Sequence, residues 1–241
     1  DRKPSGCSTD MLVAMAMLCG LLSSVVADSP INIHVKLGPE AEKEAIALNA
    51  LLTDACPGND INLNTTQQPH VTMYLTSFTN TQAVEDSIKE NVPTLLQTPS
   101  CDNNPMILTN FTVNGCYAMW NVVPNQCLQH ISDAVVNATY VYATPDQPIP
   151  DWVKTLPEPV RSEKEDMIRK YGSPNVFSQF DPHVTLGFDC DGAPQCFQDA
   201  LEAGAPPTLH IESDVLMLAL GVVGAHGTVM RGEDIAEFQL R

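Results

Sequence analysis

The sequence predicts an α+β chain built as two related lobes, and three observations carry that expectation. A five-residue phrase occurs twice, as Pro69-His70-Val71-Thr72-Met73 and as Pro182-His183-Val184-Thr185-Leu186. The two histidines stand 113 positions apart, and self-similarity at that distance suggests matching halves. Around each copy, apolar runs of strand length alternate with longer segments of helical period. The resulting order is strand, helix, strand, helix, hairpin, then helix, strand, helix and strands. Such an order gives an α+β chain of two lobes.

The elements follow in turn. Residues 31–37 alternate apolar and polar as a half-buried strand should, and Gly38-Pro39 ends it. Residues 40–55 read as a helix with Ile46, Leu48, Leu51 and Leu52 on one face. A polar loop, 57–68, leads to the first motif strand, 70–75. A helix is expected over 81–96, with Thr79 or Asn80 as its cap. Residues 106–114 and 116–123 form two strands about Asn114-Gly115, a common hairpin pair. The helix 124–137 opens on Pro124, where a missing N–H costs nothing. Residues 144–159, rich in proline and acid, read as an extended loop, and 161–171 as a charged helix stopped by Gly172. The second motif strand spans 183–188, and a helix follows over 195–203. The last strands fall within 209–223 and 228–240, with Gly221, Gly224 and Gly227 at bends.

The first 27 residues stand apart. Residues 11–27 are apolar and uncharged, ending Val25-Val26-Ala27 before Asp28, as a signal peptide does, although Met11 is preceded by ten residues. The run is short for a membrane span and is interrupted by Ser23-Ser24; an uncleaved anchor is the alternative. The expected organisation is a leader over 1–27 and one domain over 28–241, with an insertion at 144–181. Localisation is then secreted, or in the lumen of the secretory pathway or vacuole, with no stable membrane association after cleavage.

Cleavage leaves roughly 214 residues and six cysteines: Cys56, Cys101, Cys116, Cys127, Cys190 and Cys196. An even number in an exported chain suggests three disulfides whose connectivity spacing does not fix. Cys190 and Cys196 are close enough to close a short loop after the second motif. No Cys-x-x-Cys pair occurs, so no metal site is expected. Asn64-Thr65-Thr66, Asn110-Phe111-Thr112 and Asn137-Ala138-Thr139 are glycan acceptors, consistent with a glycoprotein.

A formal charge of −17 excludes the basic footprint of a protein that binds long nucleic acid. It leaves room for a small phosphate ester held by a few local donors. Solubility alone also accounts for the acidity.

On a strand, positions i and i+2 share a face. His70 and Thr72 therefore project together, as do His183 and Thr185, while Val71 and Val184 turn into a core. Two imidazoles can act as base and acid near neutrality without metal or cofactor, since histidine titrates at about 6.5. The two threonine hydroxyls can donate to non-bridging phosphate oxygens. A blander reading is two buried strands, each carrying one hydrogen-bonded histidine.

The paired frames, His70-Val71-Thr72-Met73 and His183-Val184-Thr185-Leu186, resemble the 2H phosphoesterase superfamily. That group includes 2',3'-cyclic nucleotide phosphodiesterases and the proteins called 2'-5' RNA ligases. The resemblance implies a bilobal, pseudo-twofold fold of antiparallel sheets with outer helices, adjacent motif strands and a central cleft. It also implies catalysis by His70 and His183 with phosphate binding by Thr72 and Thr185. The spacing between motifs is long for the family, and the 144–181 segment accounts for the surplus. Export and disulfides are unusual for its better-known members.

The expected activity is metal-independent opening of 2',3'-cyclic phosphates on nucleotides or short RNA ends by a monomer. Hydrolysis of linear 2'-5' or 3'-5' oligonucleotides is one alternative; a secreted, non-catalytic glycoprotein that binds nucleotides is another. Tyr74, two positions beyond Thr72, is a candidate substrate contact or simple packing, and Gly187 at the matching place would leave room for a base or ease a close backbone contact. Trp120 and Phe177 are more often core residues than stacking surfaces. His34 reads as core or surface, His226 sits in a glycine-bounded turn, and His130 and His210 lack a pattern. No Gly-x-x-x-x-Gly-Lys-Ser/Thr loop, Gly-x-Ser-x-Gly elbow, His-Glu-x-x-His or Lys-x-Asp-Gly motif occurs.

Overall fold

A computed structural model describes residues 29–95, 104–192, 195–205, 210–215 and 217–240. The expected leader and Cys101 lie outside them. The chain forms two antiparallel sheets with helices against them, the α+β two-lobed architecture expected. One sheet has the order β2-β9-β8-β1-β3, from β1 (Ser29–Lys36), β2 (Gln67–Gln68), β3 (His70–Phe78), β8 (Met217–Val223) and β9 (Val229–Gln239). The other has the order β6-β5-β4-β7, from β4 (Met106–Asn114), β5 (Tyr117–Val122), β6 (His183–Phe188) and β7 (Ile211–Ser213). Each motif strand, β3 and β6, is the edge strand of its own sheet, and the two edges are in contact.

Helix α1 (Pro39–Ala55) packs on β6, β7 and α6 (Gln195–Gly204). Helix α3 (Gln126–Thr139) packs on β3 and on α2 (Thr81–Leu95). Asn80, one of the two caps expected for α2, accepts from Ala83 N–H, and Asn125 caps α3 by accepting from Leu128 N–H at 2.9 Å. Gly172 ends α5 (Val160–Tyr171) with φ of +73°, the left-handed conformation that glycine adopts at least cost. Among the described residues no helix is long and apolar enough to cross a membrane.

Both motif strands carry an extra residue at the same place. In β3 the pairing passes from Thr72↔His34 to Tyr74↔Ile33, so Met73 is bulged out of register. In β6 it passes from Thr185↔Met119 to Gly187↔Ala118, so Leu186 is bulged. A bulge takes a carbonyl out of the ladder, and a buried carbonyl needs a partner. Ser132 of α3 donates to Met73 O at 2.8 Å, and Asn49 of α1 donates to Leu186 O at 2.8 Å. Asn49 also serves Ile61 O and accepts from Leu63 N–H, so one buried carboxamide ties β6 to the loop after α1.

The bulge corrects two expectations, because every residue beyond it changes face. Tyr74 pairs with Ile33 on the core side, not with the face of His70 and Thr72; Leu75 takes the place expected of it. Its ring packs edge-on against Phe78, and its hydroxyl donates to Tyr171 O. Gly187 likewise pairs with Ala118 on the core side, where an added Cβ would lie 3.0 Å from Phe197 and 3.2 Å from Leu52. Of its two expected roles it therefore serves the close contact, not room for a base. Trp120 is wholly buried, as expected, and Phe177 packs on Tyr171.

The segment 144–181 is more regular than the loop expected over 144–159. It contains α4 (Asp151–Lys154) and folds back on β3, where Thr76 donates to Gly172 O at 2.9 Å and Thr144 N–H to Ser77 O. The cysteines pair across the fold, as Cys56–Cys196 and Cys116–Cys190, which corrects the expected Cys190–Cys196 loop. Asp189 shapes the turn after β6: it accepts N–H bonds from Asp191 and Gly192, and its own N–H donates to Cys116 O beside the Cys116–Cys190 bridge. Cys127 is disulfide-bonded as well.

The two bulge supports set a stability prediction. Ser132→Ala leaves Met73 O buried and unpaired and should cost about 1–3 kcal/mol; Asn49→Leu orphans three backbone groups and should cost more. Urea unfolding of the oxidised protein reads both. Losses under about 0.5 kcal/mol would show that water or a shifted backbone takes over.

Candidate active site

On β3 and β6 the residues facing the cleft are His70, Thr72 and Leu75 from one lobe, and His183, Thr185 and Phe188 from the other. The structure therefore brings four of the five sequence-selected residues to the facing edges of the two sheets and turns Tyr74 away. Proximity is felt electrically, since the charge of His183 is one cause that disfavours protonation of His70. Among the described residues, no three His, Cys, Asp or Glu are grouped to hold a metal ion.

The two imidazoles are held alike. His70 Nδ1 lies 2.8 Å from Gln68 O, and His183 Nδ1 lies 2.8 Å from Asp181 O, in each case the carbonyl two residues upstream. A carbonyl only accepts, so Nδ1 carries the proton and Nε2 is the reactive atom in both neutral rings. The proline between carbonyl and histidine brings no N–H to compete.

Their surroundings differ. His70 is buried, whereas His183 is partly exposed. Burial, and then the neighbouring His34, lower the pKa of His70 to about 3. His34 on β1 is itself wholly buried, 5.1 Å from the His70 ring, with its pKa lowered by burial to about 4. Its Nδ1 donates to Asn32 O, and its Nε2 accepts from Gln68 Nε2 at 3.1 Å. Gln68 also donates to Asp234 at 2.8 Å, and Asp234 pairs with Lys36 at 2.6 Å. Gly221 makes this packing possible, for a Cβ there would lie 2.9 Å from the His34 ring and 2.4 Å from Val229.

Two further residues face the site without having been selected from the sequence. Asn32 of β1 donates from Nδ2 to Thr72 Oγ1 at 2.9 Å, with His70 Nε2 and Gly227 O each at 3.2 Å. Strand alternation placed Asn32 beside His34, but nothing marked its face as that of the motif. Phe188 stacks on His226 with ring centroids 3.5 Å apart and touches Tyr117 edge-on. His226 holds φ of +60° and meets Asp60 at 2.6 Å. His130 and His210 lie elsewhere, the latter exposed beside Glu212.

The two buried imidazoles fix a pH dependence of stability. Their folded pKa values lie below the ordinary 6.5, so between pH 6.5 and about 4 the unfolded chain binds protons that the folded chain refuses. Their contribution is complete above pH 6.5 and is lost as pH falls, with a slope on the order of 1.4 kcal/mol per pH unit for each histidine. Urea midpoints measured from about pH 7.5 to about pH 4.5 should fall, and His34→Asn should flatten the fall by about half. Equal slopes in both proteins would exclude His34 as a source.

Among solved structures, TT0787 of Thermus thermophilus is 13% identical over 88% of this chain and 98% of its own, with a TM-score of 0.48. Escherichia coli LigT complexed with ATP gives the same figures, and LigT complexed with 3'-AMP gives 11% identity, equal coverage and a TM-score of 0.47. No curated protein matches the chain. A family model described as a protein of unknown function, DUF1045, matches residues 80–230, which begin beyond the first motif and include the second. With more than half of its length matched, the chain belongs to the DUF1045 family.

Proposed function

We propose that the protein is a metal-independent phosphodiesterase that opens 2',3'-cyclic phosphates of nucleotides or short RNA ends. The observation that carries this reading is the matched pair of imidazoles. Each has Nδ1 committed to the carbonyl two residues upstream, so each presents Nε2. Two such atoms on facing edge strands are what an in-line displacement at phosphorus requires.

His70 is held neutral and enters as the base. Its Nε2 takes a proton from water as the water oxygen bonds to phosphorus. The bond from phosphorus to the 2'- or 3'-oxygen breaks, and that oxygen takes a proton from Nε2 of protonated His183. The product is a nucleoside monophosphate, with both protons accounted for. Thr72 and Thr185 donate to the non-bridging oxygens, where charge grows in the transition state.

Turnover of 2',3'-cyclic nucleoside monophosphates should persist in EDTA. His70→Ala and His183→Ala should each lower kcat/KM by ~10³-fold, and the double variant by little more, since the pair acts as a unit. Thr72→Val and Thr185→Val should each lower it by ~10²-fold. Unchanged turnover in either histidine variant would remove that residue from the mechanism. Cleavage confined to linear 2'-5' or 3'-5' oligonucleotides would move the reading to the first alternative. Binding of nucleotide without turnover of any of these would leave the binding-protein reading.

A further inference from the structure

We infer that Asn32 is a positioning residue that fixes the hydrogen-bonding roles of His70 and Thr72, holding the imidazole as an acceptor and leaving the hydroxyl to donate to the phosphate. The inference rests on the two-histidine reading and extends it to a strand outside both motifs.

Gly227 O decides which way the carboxamide points. It lies 3.2 Å from the Asn32 side chain and can only accept, so nitrogen faces it. One N–H is thereby committed. The other is left between Thr72 Oγ1 at 2.9 Å and His70 Nε2 at 3.2 Å. A donor at that place rewards an unprotonated Nε2; when Nε2 takes a proton from water, the Asn32 N–H withdraws to its shorter contact with Thr72 Oγ1. Thr72 Oγ1, having accepted, keeps its own hydrogen for another partner. Nδ1 of His70 cannot change roles in response, since Gln68 O already takes its proton.

A second observation separates this role from simple packing. Asn32 is wholly buried, yet its Oδ1 has no hydrogen-bond partner. An unpaired buried acceptor costs about 1–3 kcal/mol, and a β-branched apolar residue suits a central strand better. Stability therefore does not explain an asparagine here. The same carboxamide also holds the turn 225–227, whose His226 stacks on Phe188 of the second motif strand. One side chain thus touches two residues of the first motif and the turn that reaches the second.

Other charges also bear on His70. His34 on β1 and His183 on β6 disfavour its protonation, and Asp234 on β9 favours it, with Lys36 and Glu237 paired beyond. Asn32→Asp keeps the shape and adds an acceptor and a negative charge against Nε2; Asn32→Leu keeps the branching of the side chain and removes the donor.

The test follows the His70 imidazole by NMR titration in the full oxidised chain without ligand, and kcat/KM on 2',3'-cyclic AMP in parallel. In Asn32→Asp the His70 titration should move up by about one pH unit or more, and kcat/KM should fall by ~10²-fold. Thr72→Val should cost ~10²-fold in the wild type but less than about threefold in the Asn32→Leu background, because the hydroxyl has already lost its orientation. A His70 titration within about 0.3 pH units of wild type in Asn32→Asp would overturn the inference, as would equal costs of Thr72→Val in both backgrounds. If Asn32→Leu does not fold, the aspartate variant alone decides. A shifted titration in a protein with no turnover at all would keep the hold of Asn32 on His70 and overturn the hydrolase reading instead.

Discussion

One extra residue in each motif strand governs how this cleft is built. Were Met73 in register in β3, with no bulge, Tyr74 would share the face of Thr72 and fill the cleft with a phenol ring. Were Leu186 in register in β6, Gly187 would face the cleft and Phe188 the core. The bulges let the same strands present His-x-Thr to the cleft and large side chains to the helices. Each depends on a polar group from the helix beneath, Ser132 or Asn49, to take the carbonyl that the ladder abandons. Site geometry and core packing are thus coupled through two hydrogen bonds that touch neither histidine. The two lobes agree in this detail although the supporting helices and residues differ.

The halves are alike in backbone and unlike in environment. His183 sits partly exposed with its ring held by one carbonyl. His70 lies against Asn32 and His34, with Gln68, Asp234 and Lys36 behind them. Burying two imidazoles side by side is tolerable only if both are neutral, and burial itself enforces that. A symmetric scaffold carrying an asymmetric dielectric gives one site that resists protonation and one that water can reach. Two identical histidines would compete for one proton; two different ones can divide the roles.

Much of this was legible in the sequence. Period and caps marked the strands and helices closely: β4 has the expected bounds, α2 and α3 begin within two residues of theirs, and Gly172 stops α5 as expected. The repeated phrase found four of the residues that face the cleft. The bulges were not legible, because a one-residue slip leaves no mark in composition. Met73 and Leu186 look like ordinary core residues, so Tyr74 and Gly187 were placed on the wrong face. The disulfides escaped because proximity along the chain says little once Cys190 is turned toward β5. Asn32 escaped because one polar residue in an alternating strand signals only its face, and which face meets the motif is decided by strand pairing.

The acidity of the chain constrains the site more than it first suggests. Lys36 pairs directly with His70 across β1 and β3, where on the proposed reading a cation would stand beside the phosphate. Its ammonium is instead bound to Asp234 and Glu237, which keep it charged but commit that charge to the sheet. Arg231 is similarly taken by Glu42 and Leu63 O. On the proposed reading, the groups that meet the phosphate are therefore hydroxyls and imidazoles, which act over a few ångströms and do not draw anions from afar. Against a charge of −17, each further phosphate adds long-range repulsion that such donors do not offset. A singly charged cyclic diester meets that repulsion once and gains the donors in full. The acidic approach and the histidine pair thus favour the same small substrate.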